Sequence, residues 1–104
     1  MIVSTTHTVA GREVAQTLGL VKGSTVRAKH IGSDIVASLR NLVGGEVKEY
    51  AALLTSAREQ AIDRMIAEAR LMGADAVVGM RLETSTIQQA ASEVLAYGTA
   101  VKLA

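Results

Sequence analysis

Apolar positions in this chain recur with two periods, one near two residues and one near 3.6, and the switches between them mark its elements. Ile2 to Val9 is rich in Val, Ile and Thr and stops at Gly11, which predicts a strand. Within Gly11 to Leu18, Val14, Ala15 and Leu18 share one helical face, and Gly19 stands where a left-handed C-terminal cap belongs, so a short helix is expected there. From Val21 to Ile31 the period returns to two. Val26, Ala28 and His30 alternate with Thr25, Arg27, Lys29 and Ile31, the pattern of a half-buried strand.

Ser33 and Asp34 then supply N-cap chemistry, and Ile35, Val36, Leu39, Leu42 and Val43 repeat at helical spacing up to Gly44. After the glycine pair Gly44-Gly45 a longer stripe begins, made of Tyr50, Leu53, Leu54, Ala57, Ala61, Met65, Ala69 and Met72, and it ends at Gly73. A helix from about Val47 to Met72 would be about 39 Å long. A globule of about 100 residues has a radius of gyration of about 13 Å, so this helix would overhang its own subunit and pack against a neighbour.

The last third predicts two strands. Ala74 to Ser85 places Ala76, Val78, Met80 and Leu82 on one face, and Glu93 to Leu103 does the same with Leu95, Tyr97, Thr99, Val101 and Leu103. The polar connection Thr86 to Ser92, about seven residues, favours an antiparallel hairpin. The order strand, short helix, strand, helix, long helix, strand, strand predicts an α+β fold, a single domain over residues 1–104 with its helices on one face of an antiparallel sheet.

Composition sharpens the expectation of an assembly. The 104 residues are 49% hydrophobic but hold no Phe, Trp or Pro and only two Tyr. Aromatic side chains normally supply large blocks of buried area, so a chain without them has reason to bury surface between subunits. The net charge of +1 gives no basis for a nucleic-acid or membrane-surface partner. With no cysteine, disulfide frameworks, thiolate metal sites and cysteine nucleophiles are excluded. No stretch reaches the roughly 18 apolar residues of a membrane span and the first residues carry no basic leader, so a cytoplasmic protein is expected.

The candidate chemistry is sparse. A phosphate loop requires GxxxxGK followed by Ser or Thr at the start of a helix that follows a strand. Gly44-Gly45 is followed by Glu46 and preceded by a helical pattern, so it reads as a hinge. Gly73 to Gly79 is a helix stop running into a strand, the reverse of a dinucleotide fingerprint. No serine sits in a GxSxG elbow. Glu59, Asp63, Glu68 and Arg70 lie off the apolar stripe and read as a solvated helix face. Arg27 and Lys29 form a basic strand face without aromatic neighbours to stack bases.

Five polar residues border apolar stripes and are the candidates for a ligand site at a subunit junction: His30, Asp34, Arg40, Tyr50 and Arg58. His30 stands four residues before Asp34, and the two are the candidate metal ligands. His7 is the other imidazole, and against the metal pattern stands the ordinary reading of His30, as of His7, as a strand-end histidine with a common hydrogen bond. In a ring, one histidine per subunit can converge on the symmetry axis. Arg40 and Arg58 suit an intersubunit ion pair or a bound anion. The alternative to a non-enzymatic assembly is an enzyme or anion-binding module with a shared site, in which Arg40 or Arg58 holds a carboxylate or phosphate and His30 carries a proton.

Several segments together resemble the YbjQ family of bacterial and archaeal proteins, catalogued as heavy-metal-binding. They are Val3-Ser4-Thr5-Thr6, Asp34 to Arg40 leading to Gly44-Gly45, Tyr50, Ala57-Arg58-Glu59, Leu71 to Gly79, and Ala96-Tyr97-Gly98-Thr99-Ala100-Val101. The resemblance spans essentially the whole chain. It implies a dodecin-like α+β subunit assembling into a homopentameric ring, with the chain as its own partner. It also implies a divalent or heavy metal ion as the bound group, whereas the absence of cysteine removes the soft ligands a heavy-metal buffer would use.

Overall fold

The computed structural model describes residues 1–28, 45–88 and 91–104. In chain order it contains β1 (Ile2–Val3), β2 (Val14–Ala28), α1 (Gly45–Leu71), β3 (Ala76–Gln88) and β4 (Ala91–Leu103). The strands form one sheet in the order β1-β3-β4-β2, with α1 packed on one face. The architecture is α+β, as expected. The sheet, however, is mixed. β4 lies in the centre and pairs antiparallel with both β2 and β3, while β1 pairs parallel to β3 at Ile2↔Ala76 and Val3↔Val77.

The short helix expected over Gly11 to Leu18 is absent. Val14 onward is strand, paired with β4 from Val14↔Leu103 to Ala28↔Ala91. Register shifts between Val14 and Gln16 and between Thr17 and Gly19 break the two-residue alternation, which is why the segment reads as helical in sequence. Gly19 has a positive φ, but it stands at the second irregularity of a strand, not at a helix end. The first strand is also shorter than Ile2 to Val9, because the chain leaves the sheet after Val3. At the other end β3 and β4 run through most of the supposed connection and leave only residues 89–90 between them. The β-branched Thr84, Thr86 and Ile87 suit that extension. The expected helix over Ser33 to Val43 lies outside the described residues.

The long helix spans 27 residues, two earlier at its start than the spacing predicts. Its buried stripe is Ala57, Ala61, Met65 and Ala69, at steps of four, all fully buried. Against it lie Val21 of β2, Val77 of β3, and Val94, Ala96 and Ala100 of β4. The helix ends as the sequence requires. Gly73 takes φ 77°, its N–H bonds to Arg70 O at 3.0 Å, and Ala74 N–H reaches back to Ala69 O at 3.1 Å, the two bonds of a Schellman cap.

Small residues along the stripe let the helix backbone settle directly on the sheet. A Cβ placed on Gly23 would fall 2.3 Å from Ala61 O and 2.4 Å from Met65 N. Polar groups reinforce this seam. The buried Thr25 hydroxyl donates to Ala57 O at 2.9 Å, Arg64 donates to Ser24 O at 2.7 Å, and Arg27 bonds Gln60.

The face expected to hold Ala76, Val78, Met80 and Leu82 together is split at Gly79. Ala76 and Val78 join Val101 and Leu103 in a small cluster on the side away from the helix, whereas Met80 packs against the helix-side core. The cause is a bulge, since Val78 pairs with Thr99 and the next pair is Arg81 with Tyr97. The chain measures 55 × 22 × 16 Å with a radius of gyration of 17.2 Å, well above the roughly 13 Å of a compact chain of this length. No described helix is long and apolar enough to cross a membrane.

Candidate functional site

The sheet face away from α1 carries a connected polar surface, built where β3 bulges. Gly79 adopts φ 63°, a left-handed conformation that side chains disfavour, and this turns its N–H outward to Thr6 O at 2.8 Å. Met80 N–H then bonds Ser4 O at 3.0 Å, and Ser4 N–H bonds Val77 O at 2.9 Å. The segment Ser4 to Thr8 is thereby pinned across the bulge.

Within that segment the hydroxyls form a chain. Thr6 donates its hydroxyl proton to Thr8 O at 2.6 Å, so the close Ser4–Thr6 hydroxyl contact has Ser4 as donor, while Thr6 N–H donates to Ser4 Oγ at 3.1 Å. Arg81 clamps the arrangement from below, with one Nη1 donating to Thr5 O at 2.9 Å and to Met80 O at 2.8 Å. His7 is exposed, and its ring lies over Gly79, with Nδ1 3.2 Å from where a Cβ would stand.

Strand register extends this surface across the sheet. Arg81 pairs with Tyr97, which pairs with Lys22, so the three share one row. The next row holds Glu83, Leu95 and Ser24, and the Tyr97 hydroxyl donates to Glu83 Oε1 at 3.2 Å. Lys22 and Arg81 put two cations on this face, the chemistry that suits an anion, while the Ser4, Thr6 and Tyr97 hydroxyls donate within it and Glu83 adds one negative charge.

The residues singled out from sequence fall elsewhere. Arg58 is exposed on α1 beside the buried Ala57. Tyr50 belongs to the early turns of α1, with its side chain outside the described residues. His30, Asp34 and Arg40 lie outside the described residues. This polar face is hidden in the sequence because Ser4 to Thr8 reads as strand and Gly79 as an ordinary position within the strand Ala74 to Ser85. A glycine inside a strand run is the available signal, since it marks a bulge.

Among the described residues, no three His, Cys, Asp or Glu side chains come together, and the chain has no cysteine. The described part of the chain therefore does not offer a heavy-metal donor set.

The YbjQ family, described as "Putative heavy-metal-binding", matches residues 1–104. The chain belongs to the YbjQ family. It is 55% identical over 103 residues to a UPF0145 protein of Methanosarcina acetivorans, covering 99% of this chain and 97% of that one. It is 58% identical over 100 residues to a UPF0145 protein of Halobacterium salinarum, covering 96% of each. Its fold is similar to the crystal structure of a protein of unknown function assigned to the DUF74 family from Pediococcus pentosaceus. The TM-score is 0.64 at 16% identity, with 100% of this chain and 98% of that one covered, a likeness of fold alone.

Proposed function

We propose that this YbjQ-family chain is a non-enzymatic cytoplasmic protein that assembles into a homo-oligomeric ring, five subunits in number. A metal ion or small ligand binds at the subunit junctions, bordered by His30, Asp34, Arg40, Tyr50 and Arg58. The observation that carries the reading is the shape of the subunit. A chain of 104 residues extended to 55 Å leaves apolar side chains at its surface that a compact fold would cover. The family description supports metal as one ligand class.

The second reading, an anion-binding module with a site shared between subunits, is favoured by the Lys22, Tyr97 and Arg81 row. Calorimetric titration of chelator-stripped protein separates the two. Heat on adding zinc, nickel, copper or cadmium ions, lost in His30→Ala and Asp34→Ala, supports the metal reading. Heat with inorganic phosphate, lost in Arg81→Gln, supports the anion reading. No heat with either leaves the ring without these ligands.

A further inference from the structure

Both long edges of the sheet are open among the described strands. β2 is terminal over its whole length, and β3 is covered by β1 and Ser4 to Thr6 only as far as Met80, so the edge of Arg81 to Gln88 that faces away from β4 has no strand partner among the described residues. Such edges present a row of free backbone donors and acceptors, and proteins blunt them with prolines and charges or pair them. This chain has no proline. Five of the nine exposed large apolar side chains among the described residues lie on these two strands, among them Leu20 at 64% and Val26 at 57% exposure on β2 and Ile87 at 56% on β3, whereas the most exposed, Leu71, ends α1.

We infer that the β2 edge of one subunit pairs in parallel with the Arg81–Gln88 edge of β3 in the next copy, in the register that sets Lys22 beside Glu83. This rests on the ring reading above and specifies which surfaces make the ring. Because β2 and β3 both run antiparallel to β4, they point the same way, and extending the sheet from copy to copy brings unlike edges together in parallel. That contact is heterologous, which gives a ring when the rotation from copy to copy closes and an open filament when it does not.

Charge selects both partner and register. β2 carries Lys22 and Arg27 and no acidic residue, so a second β2 offers these cations no opposite charge, whereas the β3 edge offers Glu83. With Lys22 beside Glu83, Leu20 lies beside Arg81 and Ser24 beside Ser85 on the face away from the helix. On the helix face Val21 lies beside the exposed Leu82, and Gly23 and Thr25 beside Thr84 and Thr86. A slip of two residues one way sets Lys22 against Arg81, and the other way sets it against the neutral Ser85. A slip of one exchanges the two faces.

The test uses the natural absence of cysteine. Lys22→Cys and Glu83→Cys are made singly and together in the full chain and oxidised under native conditions. Neighbouring positions on paired strands fall within the roughly 4.4–6.8 Å Cα separation a disulfide needs, while a position two residues further along lies about 7 Å off in the strand direction. The double variant is expected to give a ladder of cross-linked chains. Mixed single variants, dissociated and reassembled together, are expected to give dimers only, and Lys22→Cys with Arg81→Cys little product. If cysteine at either position impairs folding, the charge exchange Lys22→Glu with Glu83→Lys should still assemble while each single reversal weakens assembly at least several-fold. An oligomer that forms no such cross-link, or Lys22→Cys alone dimerising efficiently, overturns the edge pairing while the ring stands. A wild-type protein that is monomeric overturns both.

Discussion

Gly23 of β2 and Ala61 of α1 touch backbone to backbone: a Cβ on the glycine would stand 2.3 Å from the alanine carbonyl oxygen. Neither atom belongs to a flexible side chain, so Gly23→Ala must lift the helix from the sheet. The expected loss is about 3 kcal/mol, at the upper end for overpacking a core. Ser24→Ala, one residue on at an exposed position, should stay within about 0.5 kcal/mol. Urea unfolding of the two variants checks the difference.

Two residues further along the seam, the Thr25 hydroxyl donates to Ala57 O from a fully enclosed position. Thr25→Val keeps the shape and removes the donor, while the carbonyl keeps its helical partner. The loss is expected to be about 1 kcal/mol, the net value of a hydrogen bond whose acceptor remains satisfied. A loss as large as that of Gly23→Ala would mean that the hydroxyl, not the close approach, sets the helix position.

The parts of the fold legible in sequence are those in which one period runs uninterrupted. The stripe from Ala57 to Ala69 repeats every four residues and ends at a glycine whose left-handed conformation closes the helix, so both the element and its stop could be read. β4 alternates through most of its length. Where bulges intervene the signal fails: β2 is broken near Gln16 and Thr17, and Val14, Ala15 and Leu18 then mimic a helical face. The parallel pairing of β1 depends on a contact with Ala76 and Val77, far along the chain, that no local pattern encodes. Arg58 lies on the long helix next to the buried Ala57, a position its place beside the stripe makes legible. The polar face was hidden, because it joins Ser4 to Thr8 with Arg81, Tyr97 and Lys22 only through sheet register.

At the bulge, Gly79 holds φ 63° under the ring of His7. Gly79→Ala is expected to cost about 1–2 kcal/mol, chiefly from the left-handed backbone. The exposed imidazole can swing away, so the same substitution made in a His7→Ala background should cost the same within about 0.5 kcal/mol. A much smaller cost in that background would show that the ring contact dominates.

Asp75 ties the start of β3 to the end of β4 through Oδ2, which accepts the Leu103 N–H at 2.9 Å. Asp75→Asn preserves an acceptor and should fold with nearly unchanged stability. Asp75→Ala leaves the N–H without this partner and is expected to cost about 1 kcal/mol. Amide hydrogen exchange at Leu103 reads the effect locally, with faster exchange in the alanine variant alone.

Assembly is tested most directly by the molar mass of the unmodified protein in solution, measured by light scattering across a range of micromolar concentrations. A ring gives one discrete species at a multiple of the 10.9 kDa chain, five-fold for the pentamer. A single species at 10.9 kDa throughout the range would contradict it.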